Sequence, residues 1–559
     1  MKLKLISGLE KCFLDENIED KYALNADTIL KNERYTFQAA FCWEPGDPDR
    51  CGCTVKVESP LSDAVSLRVV EQIPVRFPVY PNQPAEAYDN YLRTTPGLYP
   101  DLLLPYEEHN QIIFIANQLN SLWVTVDPKS QYPAGVYPVT VIFNAGSTEL
   151  GRATFTITIL NAELPKQKTL VTEWFHTDCL SVYYKAPVFS EEYWRIVGNF
   201  MKNAARNGIN LILTPTFTPP LDTAVGGERP TVQLVDVTVK DGKYTFEFSK
   251  LGRWVALANE AGIENFEIAH LYTQWGAKAA PKVMATVYNA DGTSEYKRIF
   301  GWDTVATSDE YRTFLRQFLS ELLAFMKALG KDKNCYFHIS DEPNTEQLPF
   351  YMAAKDQIKD LLEGCTIMDA LSHYEFYESG ALQTPIPSNT SIDKFLAHNV
   401  PNLWTYYCCG QHNKVSNRFF AMPSDRTRVI GLQFYKFNIV GFLQWGYNFY
   451  FCCGSLYPVD PYAISDGDYF TPAGDCYSVY PAAGGYAYDS IRICAFYDAL
   501  QDQRAMQLAE SLCGRDAVID AMEGHLPEDR KVTFSEYPHG IAYIHETRAK
   551  VNALIASKL

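Results

Sequence analysis

The sequence has no apolar run long enough to cross a membrane as a helix, and it has no cluster of basic residues. Its formal net charge is −17, so nucleic acid and anionic membrane surfaces would repel it, and we expect neither as a partner. It shows no signal peptide, since acidic and polar residues from Glu10 onward interrupt any apolar region at the N-terminus. These absences predict a cytoplasmic protein without a membrane span.

Metal-binding patterns are also missing from the sequence. Cys51-Gly-Cys53 has neither a second Cys pair nor a His cluster to complete a zinc site, so we expect no metal and no other cofactor. Fourteen Cys in a chain without a secretory signal predict free thiols rather than a disulfide framework. The adjacent pairs Cys408-Cys409 and Cys452-Cys453 are poorly placed for an internal disulfide.

Two successive patterns predict a multidomain fold of the class β plus α/β. In residues 1–165, short segments such as Ala153-Thr-Phe-Thr-Ile-Thr-Ile-Leu alternate apolar and polar residues, which predicts an N-terminal antiparallel β-sandwich. Strands then alternate with helices predicted over 190–207, 250–261 and 308–330. This rhythm over residues 166–505 predicts a TIM-like (β/α)8 barrel, and residues 506–559 are predicted to be a C-terminal helical segment packing on it.

The segment Cys335-Tyr-Phe-His-Ile-Ser-Asp-Glu-Pro-Asn ends an apolar run on two adjacent carboxylates, Asp341 and Glu342. In a (β/α)8 barrel, chemistry is placed where the strands end. Adjacent carboxylates repel each other, so one retains its proton more readily, and a proton donor beside a carboxylate suits cleavage of a glycosidic bond. The competing interpretation is ordinary helix-start chemistry, because acidic residues and Pro favour the first turn.

Polar and aromatic residues also follow the other predicted strands. A single His or Trp at a strand end is more often a packing residue, but several strands that end in this way favour one shared binding rim. The predicted substrate-binding residues are Trp174, His176, His270, Trp275, Asn344, Tyr374, Tyr407, Trp445 and Tyr447.

Four motifs resemble those of glycoside hydrolase family 123. They are Phe337-His-Ile-Ser-Asp-Glu-Pro, Glu173-Trp-Phe-His-Thr-Asp-Cys-Leu, His270-Leu-Tyr-Thr-Gln-Trp-Gly-Ala and Gly441-Phe-Leu-Gln-Trp-Gly-Tyr-Asn-Phe. The resemblance implies a β-sandwich followed by a (β/α)8 barrel, and an exo-acting, retaining β-N-acetylgalactosaminidase whose substrate is a glycan with a terminal N-acetylhexosamine. It also implies a substrate-assisted mechanism through an oxazoline-like intermediate, in which Glu342 is the general acid and base. Asp341 would hold the N–H of the acetamido group.

Two other functions are compatible with the sequence. One is a glycosidase with an enzyme nucleophile and an acid such as Glu173 across the site; the other is a non-catalytic glycan-binding protein with the sandwich as its binding module. The sequence gives neither the natural aglycone and linkage nor the stringency for GalNAc over GlcNAc. It also leaves open the oligomeric state and the residue that recognises the sugar 4-hydroxyl.

Overall fold

The computed structural model describes residues 1–43, 50–108 and 110–559. The N-terminal part contains ten strands: β1 (Lys2–Ser7), β2 (Ala26–Leu30), β3 (Tyr35–Cys42), β4 (Arg50–Glu58), β5 (Val65–Val75), β6 (Gly97–Pro105), β7 (Ile112–Ile115), β8 (Asn120–Val126), β9 (Gly135–Ala145) and β10 (Thr148–Leu160). The alternating pattern of β10 places Phe155, Ile157 and Ile159 in the core, as the period of two predicts.

These strands form two five-stranded sheets, in the orders β1-β3-β8-β5-β6 and β2-β10-β9-β4-β7. The sheets share an apolar core, in which Phe37 of one sheet stacks on Phe155 of the other at 4.2 Å between ring centroids. The prediction of a purely antiparallel arrangement was wrong in one place, because β2 pairs with β10 in parallel. A parallel neighbour is possible here because the long chain segment between the two strands allows a crossover.

The remaining strands are β11 (Leu170–Glu173), β12 (Leu211–Thr214), β13 (Asp236–Lys240), β14 (Lys243–Glu247), β15 (Asn265–Ile268), β16 (Val283–Tyr288), β17 (Ser294–Phe300), β18 (Cys335–Phe337), β19 (Thr366–Ala370), β20 (Thr384–Ile386), β21 (Trp404–Tyr406), β22 (Gly441–Gln444), β23 (Val479–Ala482) and β24 (Tyr486–Asp489). The helices are α1 (Thr177–Tyr184), α2 (Glu191–Arg206), α3 (Ser249–Ala261), α4 (Asp309–Ala328), α5 (Leu348–Asp356), α6 (Glu375–Glu378), α7 (Asp393–Ala397), α8 (Ser424–Arg428), α9 (Ile430–Lys436), α10 (Ile491–Cys513), α11 (Arg515–Glu523) and α12 (Ile541–Ala556). Together the two parts confirm a mixed β and α/β multidomain fold.

Eight of these strands are arranged in two parallel sheets, in the orders β11-β22-β21 and β12-β15-β18-β19-β20. At one junction the N–H of Asn210, just before β12, donates to the carbonyl of Val171 in β11 at 3.1 Å. At the other, Ser388 forms an isolated parallel bridge with Tyr406 in β21. Because neighbouring strands run in the same direction, their carboxyl ends lie at one rim.

The helices predicted from apolar periodicity are confirmed to within about two residues. Ser308 caps α4 by accepting from the N–H of Tyr311, and the apolar stripe of α4 that includes Phe314 and Phe318 is buried. A four-stranded sheet in the order β14-β13-β16-β17 was not predicted. Most side chains of β17 are exposed, so the hydrophobic pattern of that strand is weak.

Helices α10, α11 and α12 pack together and enclose a small apolar core with Leu9 and Leu30 from the N-terminal part. Arg548 in α12 also forms an ion pair with Glu33 at 2.7 Å. The predicted boundary at residue 505 falls inside α10, so the domain limits stay a prediction. In the part of the chain that the structure describes, no helix combines the length and apolar character needed to cross a membrane.

Candidate active site

A cavity of about 240 Å³ opens at the carboxyl ends of the parallel strands. This volume is below the range of about 300–1,000 Å³ typical of drug-sized ligands, so the cavity suits a single sugar ring. Of the residues predicted for the site, Asp341, Glu342, Trp174, Trp275 and Trp445 line it. The other lining residues are Asp222, Gln274, Ala370, Tyr406, Cys408, Cys409, Leu443 and Phe470.

The two adjacent carboxylates follow β18 on a short loop that neighbouring segments hold in place. The strand ends at Phe337, earlier than the sequence predicted, and Ser340 turns back to accept backbone hydrogen bonds from Gly276 and Ala277. The N–H of Glu342 donates to the carbonyl of Ala370 at 2.9 Å. Glu342 has a φ of 42°, a left-handed conformation that is costly for this residue type and clusters at functional sites.

Helix-start chemistry is present in this segment, but Asn344 performs it rather than the acidic pair. The Asn344 side chain accepts from the N–H of Gln347, and the Gln347 side chain accepts from the N–H of Asn344, which is a capping box. Asn344 therefore faces the helical turn and does not line the cavity. The capping interpretation does not account for Asp341 and Glu342, which remain free to act in the cavity.

Glu342 is exposed to the cavity and has one fixed partner. The Tyr406 hydroxyl donates to its Oε1 at 2.6 Å. Burial, together with the neighbouring charge of Glu342, raises the pKa of Tyr406 well above its usual value, so this hydroxyl keeps its proton and remains a donor. This contact fixes one carboxylate oxygen and leaves Oε2 for a proton or a ligand.

Asp341 is the more buried member of the pair, and its pKa is raised well above its usual value. Burial is the largest cause, and the charges of Glu342 and Asp222 add to it. The sequence analysis expected one of the two carboxyls to retain its proton, and the resemblance implied Glu342 as the acid; the sequence could not tell which carboxyl lies deeper. Burial and repulsion among the carboxyls therefore favour the protonated form of Asp341.

Asp222 is a third carboxylate of the cavity that the sequence analysis missed. Its backbone is fixed by two hydrogen bonds, since its N–H donates to Oε1 of Gln274 at 2.9 Å and its carbonyl accepts from Ser455. Among the residues that the structure describes, no donor binds its carboxylate. Burial, with a further contribution from Glu342, raises its pKa to about 7. No motif marks Asp222, because it lies in a loop eight residues beyond β12.

Three tryptophans form apolar walls of the cavity. Trp174 and Trp445 are buried, and buried carboxylates orient both: the indole N–H of Trp174 donates to Glu267 at 2.7 Å and that of Trp445 donates to Asp475 at 2.8 Å. Trp275 is 48% exposed. Its backbone N–H donates to the carbonyl of Asp341 at 2.8 Å. An aromatic ring with a fixed polar end is suited to stacking against a sugar.

A buried charge network lies beneath the cavity floor. His338 donates to Glu267 at 2.7 Å and to Asp369 at 3.1 Å, and these carboxylates raise its pKa to about 10 against the effect of burial. His338, Asp369 and His270 are close enough to one another to hold a metal. A protonated His338 offers no lone pair, however, so the arrangement is better explained as an ion-pair network.

We expect His338→Ala to lower the free energy of unfolding by about 3–5 kcal/mol, because it leaves Glu267 and Asp369 buried without their cation. In the unsubstituted protein, the contribution of His338 is fully present below its unfolded pKa of about 6.5. It is lost as the pH rises through about 10. Urea denaturation at several pH values measures both effects. His373→Ala, at an exposed position, is the control and should change little.

The remaining predicted residues lie outside the cavity lining, and two of them are histidines. His270 stacks on His338 at 4.3 Å, and burial lowers its pKa well below the usual value, so it is neutral. His176 bonds the carbonyl of Trp445 at 2.8 Å and contacts Arg229. Both therefore support the walls of the cavity.

Three tyrosines complete the predicted set, and they also lie away from the cavity. The Tyr447 hydroxyl donates to Asn203 in α2 at 2.8 Å, and Tyr374 stacks on His398. Tyr407 is fully buried. The position of a residue at a strand end does not fix the direction of its side chain, and these side chains point into the surrounding helices and core.

Glu173, the acid in the alternative mechanism, is buried and engaged. It forms an ion pair with Arg418 at 2.7 Å and accepts from the Ser478 hydroxyl at 2.7 Å. It is absent from the cavity lining. The geometry therefore gives Glu173 a structural role.

The chain is similar to known glycoside hydrolases in sequence and in fold. The family model of the glycoside hydrolase 123 catalytic domain matches residues 174–509. A solved family 123 glycoside hydrolase from Clostridium perfringens has a TM-score of 0.73 at 14% identity, with 100% of this chain and 97% of that chain covered. A family 39 glycoside hydrolase from Bacteroides cellulosilyticus WH2 has a TM-score of 0.33 at 10% identity, with 88% and 82% covered. A search of curated protein sequences found no match.

The fold, the paired carboxylates and the small aromatic cavity define a glycoside hydrolase. The match over residues 174–509 shows that this chain belongs to glycoside hydrolase family 123.

Proposed function

We propose that this protein is an exo-acting, retaining β-N-acetylgalactosaminidase that removes terminal β-GalNAc from glycans. The observation that carries the proposal is the position of Asp341 and Glu342 side by side on the wall of one sugar-sized cavity. The Clostridium perfringens relative, described in connection with glycolipid glycan hydrolysis, supports glycolipid glycans as the substrate class.

In the proposed first step, the carbonyl oxygen of the substrate's 2-acetamido group attacks C1, and the bond from C1 to the aglycone oxygen breaks. Glu342 transfers its proton to that oxygen. In the second step, water attacks C1, Glu342 takes a proton from the water, and the oxazoline-like ring opens. Tyr406 holds one oxygen of Glu342 throughout, so the other carries the proton.

Asp341 is proposed to hold the acetamido N–H while positive charge develops on that group. Its raised pKa makes it a strong acceptor for this N–H, because a carboxylate in a poorly solvated site gains more from a nearby cation. The raised pKa favours a proton on Asp341 in the free enzyme, and we propose that this proton passes to Glu342 when the substrate enters.

The architecture that supports this site is proposed to be a β-sandwich followed by a closed (β/α)8 barrel. The shared core of the two N-terminal sheets and the contacts at both junctions of the parallel sheets support this proposal. The limits 1–165, 166–505 and 506–559 belong to the same proposal.

A second candidate mechanism uses Asp222 as the enzyme nucleophile. It replaces the alternative that required Glu173 in the cavity. A carboxylate without a protein donor, in the same cavity as a proton donor, could attack C1 directly, as in retaining glycosidases with an enzyme nucleophile. That enzyme would not require an acetamido group on its substrate.

Aryl β-glycosides of GalNAc, GlcNAc and galactose test the proposed function. We expect rapid release of the aryl alcohol from the GalNAc compound and almost none from the galactoside, which has no internal nucleophile. Efficient hydrolysis of the galactoside would contradict the substrate-assisted mechanism and favour Asp222 as nucleophile.

Asp222→Asn distinguishes the two mechanisms through the pH profile. We expect most turnover to remain and the alkaline limb of kcat/KM to move to lower pH, because the charge of Asp222 raises the pKa of Asp341. If Asp222 is the nucleophile, turnover is abolished at every pH. Asp241→Asn, in an exposed turn with a φ of 50° that Asn tolerates, should leave the profile unchanged.

A further inference from the structure

The lining of the cavity includes two adjacent free thiols, Cys408 and Cys409. Both are partly exposed, and both follow β21 directly after the pair Tyr406 and Tyr407. Gln411 fixes this turn, since its Oε1 accepts from the N–H of Cys408 at 2.9 Å and from its thiol at 3.2 Å. The proposed reaction does not use either thiol.

We propose that Cys408 and Cys409 form a dithiol site for trivalent arsenicals, and that an occupied site excludes the sugar from the cavity. With phenylarsine oxide, the arsenic forms one bond to each sulfur. The two thiol protons leave with the oxide oxygen as water, and arsenic stays trivalent. Binding needs no assumption about the substrate, whereas the loss of hydrolysis rests on the proposed function.

The electrostatics of the wall favour this chemistry over ordinary thiol alkylation. The pKa of Cys408 is raised well above its usual value. The causes are a hydrogen bond with the Cys409 thiol, burial, and the charge of Glu342. The thiolate form of Cys408 is therefore disfavoured, and reagents that need it react slowly at this residue. Condensation with an arsenical starts from neutral thiols and gives a neutral product, which suits a wall beside carboxylates.

The other neighbouring cysteines of the chain are less suited to chelation. Cys452 is buried and its thiol donates to the carbonyl of Cys453, whereas Cys453 is exposed. In β4, Cys53 is buried in the core and Cys51 is partly exposed. In each of these pairs one thiol is buried and the other is at least partly exposed, whereas Cys408 and Cys409 line the same cavity.

Intact-protein mass spectrometry after treatment with phenylarsine oxide tests the site. We expect one phenylarsenic group per chain at low reagent excess, with the loss of two thiols in a thiol titration. The double variant Cys408→Ser/Cys409→Ser should lose this adduct. Its matched control, Cys452→Ser/Cys453→Ser, should keep it. An adduct that persists in the first variant, or disappears in the second, would overturn the proposal.

Hydrolysis of an aryl β-GalNAc substrate, measured relative to the untreated rate of each variant, tests the exclusion of the sugar. We expect phenylarsine oxide to inhibit the unsubstituted protein, and 2,3-dimercaptopropanol to restore activity where 2-mercaptoethanol does not. An adduct on Cys408 and Cys409 that leaves hydrolysis intact would refute the exclusion. If no aryl glycoside is cleaved, the mass measurement still decides the binding site, so the two proposals fail separately.

Discussion

Replacing Glu342 by Gln will lower hydrolysis of β-GalNAc linked to a poor leaving group by about 10²–10⁴-fold, the usual contribution of general acid catalysis. Gln has nearly the same shape and can still accept from Tyr406, but it has no proton to give. The loss should be much smaller with a dinitrophenyl aglycone, which leaves without protonation. Steady-state kinetics on both substrates measure this difference.

Glu346→Gln is the matched control, because Glu346 is an exposed acid four residues further along the same loop. It should leave both rates unchanged. An equal loss on the two substrates in Glu342→Gln would mean that Glu342 acts in some way other than as the proton donor.

Asp341→Asn should lower kcat on GalNAc substrates by about 10²–10³-fold, the range observed when one preorganised electrostatic partner of a transition state is removed. The amide keeps the size of the side chain but removes the negative charge that stabilises the oxazoline-like species. The substitution should also weaken inhibition by a thiazoline mimic of that species. Inhibition constants for both proteins measure this second effect.

Asp241→Asn serves again as the control, since it removes one exposed carboxylate that does not line the cavity. Unchanged thiazoline inhibition in Asp341→Asn would contradict the role of Asp341 in holding the acetamido group. It would leave the role of Glu342 as acid untouched.

The sequence predicted those parts of the fold that depend on local periodicity. Helix α4 shows this, because its apolar stripe and its Ser308 cap are both local signals. The sheet formed by β13, β14, β16 and β17 was missed although its two hairpins contain the turn residues Asp241-Gly242 and Asp291-Gly292, a local signal that the sequence analysis did not use. The long-range part of this sheet is the parallel pairing of β13 with β16, in which Thr238 lies opposite Thr286, and no local pattern specifies it.

The candidate site was predicted in part, for a similar reason. Strand ends identify the rim, and Asp341, Glu342, Trp174, Trp275 and Trp445 do line one cavity. Which way a rim residue points is decided by distant partners. Tyr447 bonds Asn203, which lies 244 residues earlier in the chain. Asp222 and the bond from Tyr406 to Glu342 likewise arise only when separate loops meet.

The backbone N–H of Trp275 donates to the carbonyl of Asp341. This hydrogen bond joins the loop that carries the exposed indole to the loop that carries the paired carboxylates. The indole of Trp275 is an exposed part of the cavity lining, and the same stretch of main chain helps to position Asp341. Substitutions in the loop 273–279 that aim at a new acceptor are therefore expected to change kcat as well as the affinity for the substrate. Variation in substrate range is better sought at Phe470, whose backbone N–H donates to the carbonyl of Asp466 rather than to the loop of Asp341.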